Sequence, residues 1–459
     1  MRAISTTERM GNYFEAFGEL EERTAQQPTW LRSLREGAFD RFCEMGFPTT
    51  KDEDWRFTNL SSISHTPFQL ASDAHEPIVL ATLQPFLVPG AACRLVFVNG
   101  RFVSALSDLE SSPPAIKVSN LAEEIAKGTS TLEMNLGRYL DIERDAFGAL
   151  NTALFEDGAF VYLPRRTVLE APISLLFISA SAGERPMAHP RNLIVAEEDS
   201  QASIVEDYIS LGHSAFFSNV VTELIAGDNA VVSHYLIERE DSKSLNVSTL
   251  FTRQGRSSNV ASHSVLLGGA LVRNNVHPVL AGEGAECLIN GLFIGKGHQH
   301  LDNYMLVEHA SPHCSSRQFY NGILDDHAHG VFHGRIVVQK DAQKTDAKQT
   351  NRNLLLSDNA QIDTKPQLEI YADDVKCTHG ATIGQVEEEA LFYLRTRGVD
   401  EAAARGLLLY AFASECLDRM SCSLVREYLQ KQVQQWLPEG IPAPALSDSE
   451  IERRWEEVG

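Results

Sequence analysis

Cys377 and His379 stand two residues apart in the run Tyr371-Ala-Asp-Asp-Val-Lys-Cys-Thr-His-Gly-Ala-Thr382, and they are the pair best suited to coordination chemistry. Thiolate and imidazole both bind soft or borderline metals and iron–sulfur clusters. A separation of two places both side chains on one face of an extended strand. On residue chemistry alone, a buried cysteine beside a histidine near a helix start is the plainer reading.

Other constellations are weaker. Histidines crowd the middle at His298, His300, His309, His313, His327, His329 and His333. His327, His329 and His333 share strand parity, yet no carboxylate or cysteine sits at ligand spacing. An exposed row of turn and strand histidines is therefore expected. His313 and Cys314 are adjacent and would diverge in a strand. Gly291-Leu-Phe-Ile-Gly-Lys-Gly297 has three residues between its first glycines, and Gly297 where a phosphate loop needs Ser or Thr. A turn between strands fits it better. Asp325-Asp326 and Asp373-Asp374 read as turn residues rather than a catalytic acid pair.

The elements that position these residues fall into regions. Tyr13, Phe14, Phe17 and Leu20 recur at helical spacing, and Trp30, Leu31, Leu34, Phe39 and Phe42 resume it after Gln27-Pro28. Asn99-Gly100 between two apolar runs predicts a tight hairpin. Helical spacing returns over about 132–150. From about 160 to 370, short runs of Val, Ile, Leu, Phe and Thr alternate with Gly, Asp and Asn. The small residue after the turn recurs at Ala202, Ala230, Ser258 and Ala285, with closer copies at Ala328, Ala342 and Ala360. A near-fixed period of turn, small residue and strand is the mark of a solenoid. The expectation is a mainly β protein, with a right-handed parallel β-helix core flanked by N- and C-terminal α-helical regions. The divisions are 1–150 helical with a small hairpin, 151–380 β-helix, 381–437 helical and 438–459 an acidic tail. In 381–437, Glu387 to Arg397 forms a helix ended by Gly398, and Asp400 caps one long helix reaching Tyr428 and Trp436.

The chain has 459 residues and a formal net charge of -22, with 40 Lys and Arg against 62 Asp and Glu. That balance repels phosphate backbones and anionic lipid alike, so neither nucleic acid nor membrane is expected as a partner. No apolar leader opens the sequence, and the longest apolar run, around 173–180, is far below the roughly 20 residues of a membrane span. Seven cysteines without a Cys-x-x-Cys suggest a reducing, cytoplasmic setting.

Residues 366–398 closely resemble the signature of the SufB/SufD family of iron–sulfur cluster assembly scaffolds. Glu53-Asp-Trp-Arg-Phe-Thr58 resembles that family's N-terminal motif, and the Ala411-Phe-Ala-Ser-Glu-Cys416 helix agrees. The likeness covers about 50–430. It implies a non-enzymatic scaffold whose β-helix pairs with SufB and whose C-terminal helices dock the ABC-type ATPase SufC. A nascent iron–sulfur cluster would form transiently at the SufB interface, with no cofactor in the isolated chain. The family's motif histidine matches His379, with Cys377 a weaker companion to the main cysteine of SufB. The chain is short for a SufB-type subunit, which is the runner-up. A homodimer of the isolated chain and a reduced flavin on the complex stay open, although no flavin motif is present. A β-helix carbohydrate-active enzyme and a metalloenzyme built on the histidine-rich middle are the more remote readings.

Overall fold

The corners of the fold begin with residues that tolerate a left-handed backbone. Asp199, Asn229, Ser257, Gly284, His313 and Lys344 all have φ between 53° and 70°. Asn, Asp and Gly adopt this region most readily. Each corner hydrogen-bonds to the next: Asn229 N donates to Arg256 O at 2.8 Å, Ser257 N to Glu283 O at 2.9 Å and His313 N to Gln343 O at 2.9 Å. In the computed structural model, which describes residues 6–72, 75–180 and 185–437, these corners stack into a parallel β-solenoid.

Among the described residues the strands form an 11-stranded and a 10-stranded sheet facing each other. The residue after each corner is enclosed, as Ala230, Ser258, Ala285 and Cys314 show. The expected period holds with one shift of register. Ala202 pairs with Val232, and Val231 N donates to Ser200 O, so Ser200 is the true counterpart of Ala230. Ala328 and Ala360 lead into strands of the first sheet and Ala342 into one of the second, so two interleaved corners made the period seem to shorten. Side chains stack in register between the sheets. Phe97, Phe177 and Tyr208 form one such column, with ring centroids 4.8 and 4.7 Å apart.

The two ends of the solenoid are built differently. At the first, Cys93–Val98 pairs in parallel with Ile173–Ser179, then reverses through Asn99-Gly100, whose φ values are 51° and 82°. The returning strand Arg101–Phe102 lies antiparallel on that edge, and Lys117–Asn120 lies antiparallel on Ala159–Leu163. At the second end, Gln361–Ile370 and Lys376–Gly384 are the last strands of their sheets, and among the described residues each is paired on one side only over its full length.

Helices cover the outer faces. Thr6–Arg23, Thr29–Met45 and Ala146–Leu154 pack Tyr13, Phe39, Phe42 and Phe147 against Phe217, Leu245, Val247 and Leu271 of the first sheet. The helical stretch expected over 132–150 is broken into Ser130–Asn135 and Ala146–Leu154, the latter capped by Asp145 accepting from Phe147 N at 3.1 Å. On the second sheet, Leu409, Phe412, Cys416, Val425 and Leu429 cover Tyr235, Val265, Leu292 and Phe319.

Gly398, at φ 88°, follows Glu388–Thr396, and Asp400 caps the next helix through Ala403 N at 3.0 Å. That helix is not continuous to Trp436. It stops at Leu417 and restarts as Ser423–Trp436. The turn docks on the sheet, where Cys422 N donates to Tyr235 Oη at 3.1 Å and the Ser421 and Ser233 hydroxyls meet at 3.1 Å. Two shorter helices lay more apolar surface on a flat sheet than one long helix can. The acidic tail at 438–459 lies outside the described residues. No helix among those described is long and apolar enough to cross a membrane.

Candidate functional site at the open end of the solenoid

The strand Lys376–Gly384 carries both Cys377 and His379, as their spacing predicts. It is held in register by the strand before it, with Ala347 opposite Cys377 and Gln349 opposite His379. Lys376 N donates to Thr345 O at 2.8 Å, and the preceding turn is pinned by Lys344 N to Asp374 O at 2.7 Å and by the Lys344–Asp374 ion pair.

The two residues share a face but not an environment. Cys377 is half-buried and packs against the solenoid core. Burial, helped by the Asp346 carboxylate, pushes its thiol above its ordinary range, against a smaller pull from Ala347 N–H. A thiol held protonated is a poor ligand until something displaces the proton. His379 is exposed at the rim, two residues further along. Around it the rim is apolar in places, with Ile370, Tyr371 and Ile383 all exposed. Bare strand edges with apolar side chains are a ready template for another chain.

Glu53-Asp54-Trp55, which sequence reasoning used only as a family mark, ties the N-terminal region to this end. Trp55 lies over the Arg273 guanidinium at 4.2 Å, and Tyr304 contacts the same guanidinium at 4.7 Å. Arg273 is paired with the buried Asp302. Glu53 reaches Lys365 at 2.9 Å and Gln367 at 3.2 Å on the strand Gln361–Ile370. Those bonds hold the exposed Glu53 carboxyl below the usual carboxylate range. No local pattern announces this contact.

The histidine-rich middle disperses. His298 and His327 are exposed in turns, with rings stacked at 4.9 Å. His309 and His333 are buried rather than exposed, because each has a polar partner within the fold. His309 Nε2 meets Ser316 Oγ at 2.8 Å, and His333 Nε2 meets Gln367 Oε1 at 2.6 Å. His300 meets Thr58 Oγ1 at 2.9 Å, and His329 meets Asp363 at 2.8 Å. Among the described residues no three His, Cys, Asp or Glu side chains converge as a metal site. Gly291 lies inside the strand Glu286–Gly295, with the Tyr320 ring crossing where its side chain would be, so the glycine run is strand and turn. Asp326 takes φ 52° and accepts from Gly297 N at 3.0 Å, which is turn chemistry as expected.

The solenoid thus ends on one side in short antiparallel strands and on the other in two long strands with an exposed imidazole on the rim. The family model for the SUF system FeS cluster assembly SufBD core domain matches residues 177–412, and that for the SufBD protein N-terminal region matches 7–175. An iron–sulfur cluster assembly SufBD family protein of Synechocystis sp. is 36% identical over 412 residues, covering 88% of this chain and 90% of its own. The iron–sulfur cluster assembly protein SufD of Escherichia coli is 31% identical, over 93% of this chain and 96% of its own. That of Bacillus subtilis is 26% identical, over 91% and 95%. The chain belongs to the SufBD family of iron–sulfur cluster assembly proteins.

Proposed function

We propose that the chain is a scaffold subunit without catalytic activity, which completes its open end against SufB and lends His379 to a nascent iron–sulfur cluster at that junction. The observation that carries this reading is the pair of one-sided strands Gln361–Ile370 and Lys376–Gly384, with His379 exposed on the second. Alone, two copies of the chain can meet through the same edges. The cluster is cargo that must leave, and neutral imidazole holds iron less tenaciously than thiolate. SufB supplies the principal thiolate. Cys377 is the weaker companion, since its thiol packs toward the core. The seven cysteines are all unpaired, as suits a reducing, cytoplasmic setting.

The ATPase SufC docks on the C-terminal helices. Phe392, Tyr393 and Leu407 are exposed there, on Glu388–Thr396 and Glu401–Leu417, and exposed aromatics flanked by charge suit an interface anchor. ATP hydrolysis is assigned to that partner, and the glycine run at 291–297 lies on a strand and its turn.

Complementation of a strain lacking the protein, with iron and sulfide reconstitution of the complex, tests the site. His379→Ala is expected to keep folding and SufC binding but to impair cluster formation, and Cys377→Ser to do less. Full complementation and a wild-type rate of cluster formation by His379→Ala would leave His379 a structural residue. In copurification with tagged SufC and SufB, Phe392→Asp with Tyr393→Asp is expected to lose SufC and keep SufB.

A further inference from the structure

A neutral imidazole that gives one nitrogen to a metal is left with an N–H on the other, and that N–H needs an acceptor to fix the ring and its tautomer. His379 has few neighbours of the right kind on its own face of the strand. Cys377 faces the core and Ala381 is apolar. Beneath it, in register, lies Gln349. Parallel strands run about 4.8 Å apart, so the two side chains are direct neighbours.

Gln349 is 1% exposed, and its side-chain oxygen has no hydrogen-bond partner. Its amide nitrogen is committed, donating to Gln318 Oε1 at 2.8 Å. The amide lies across the lumen against Gly334, where a Cβ would come within 1.7 Å of Gln349 Nε2. The side chain is thus fixed by Gln318 below and by a glycine opposite, with one acceptor left over. Buried acceptors without partners are uncommon in folded proteins and call for an explanation.

We propose that Gln349 is the positioning residue for His379. Its side-chain oxygen accepts the ring N–H of His379 and fixes which nitrogen faces iron. To make this bond the exposed ring turns inward over the rim, onto the strand position beneath it. The inference rests on the reading of His379 as a cluster ligand, and it adds a reason for an amide at this place. A carboxylate there would raise the basicity of the imidazole and tighten its hold on iron. A neutral amide orients the ring while leaving the cluster free to depart.

The test uses the full chain with isotopically labelled histidine, in which His379→Ala identifies the His379 resonances. Nitrogen chemical shifts then report the tautomer. The wild type and Gln349→Glu are expected to show one dominant tautomer, and Gln349→Leu a mixture. An unchanged tautomer in Gln349→Leu overturns the proposal. In the reconstituted complex, Gln349→Leu is expected to slow cluster formation by about 10-fold or more, within the range for lost outer-shell partners of metal ligands. Gln349→Glu should restore formation but slow transfer to an apo acceptor; transfer at the wild-type rate counts against the role given to the neutral amide. If His379→Ala assembles clusters normally while Gln349→Leu still scrambles the tautomer, the ligand reading falls and the hydrogen bond stands.

Discussion

The two ends of the solenoid use the same kind of strand and treat it in opposite ways. At the first end the chain doubles back, so the short antiparallel strands Arg101–Phe102 and Lys117–Asn120 cover the long parallel edges. At the last end the strands stop with outer edges that no described residue pairs, and the helices that follow turn away along the side of the second sheet. A parallel sheet buries both its faces and has only its edges left to offer. Sealing one edge makes a stable end, and leaving the other makes an adhesive one. Stability and association are thus assigned to opposite ends of one structure.

Substitutions of similar severity at the two ends should separate these properties. Phe97→Ala removes a fully buried ring stacked on Phe177 at the sealed end, and is expected to cost about 3–5 kcal/mol in urea unfolding. Ile383→Lys at the open rim, where the side chain is half exposed, should change stability by about 0.5 kcal/mol or less but reduce copurification with SufB at least tenfold. Equal losses of stability from the two variants would end the comparison.

A second difference is one of pH. His263 is buried in the solenoid body, stacked on Tyr235 at 4.9 Å, and burial, with His234 adding to it, lowers its pKa to about 3. The unfolded chain takes the proton near pH 6.5 and the folded chain resists it. Its stabilisation is therefore complete above about pH 6.5 and is lost as pH falls toward 3. The buried Glu238 and Glu240 are raised, and work with the opposite sign, because their stabilisation is lost as pH rises through their folded values. The clean measurement is a difference. His263→Gln should lose less stability than the wild type between pH 7 and 5, by on the order of 1–2 kcal/mol. Parallel curves would contradict this.

The smallest effect concerns the tether. Glu53→Gln should leave the melting temperature nearly unchanged, because an exposed ion pair contributes little. Amide exchange along Gln361–Ile370 should still quicken relative to the sealed end. No change there would show that the rim holds itself.

Turn chemistry and strand texture made the solenoid legible, since Asp199, Asn229 and Gly284 before a small residue report their corners directly, although Ser257, His313 and Lys344 take the same place elsewhere. Cys377 and His379 were legible as a face, because alternation in a strand is geometric. What escaped was set by packing. Ala202 matched Ala230 in type, and only pairing reveals that Ser200 holds its place. The break at 418–422 follows from docking on Tyr235, far away in sequence. A truncation at 385 would strip Glu401–Leu417 and Ser423–Trp436 from the second sheet and bare its core. Point substitutions at Phe392 and Tyr393 avoid that. Gln349 gave no signal at all, because an unpartnered acceptor is a property of the folded neighbourhood.

The bond from Glu53 to Lys365 joins residues 312 apart. A ribosome adding roughly 5–20 residues each second needs about 15–60 s to make the intervening chain. The Glu53 segment therefore emerges early and waits for its seat on Gln361–Ile370, the last strand but one among the described residues. Until that strand is made, no product of synthesis can carry both a tethered N-terminus and a finished rim. A nascent chain arrested anywhere before residue 365 lacks the contact altogether. The same ion pair that adds little to stability marks a chain that has reached the last strand of its first sheet.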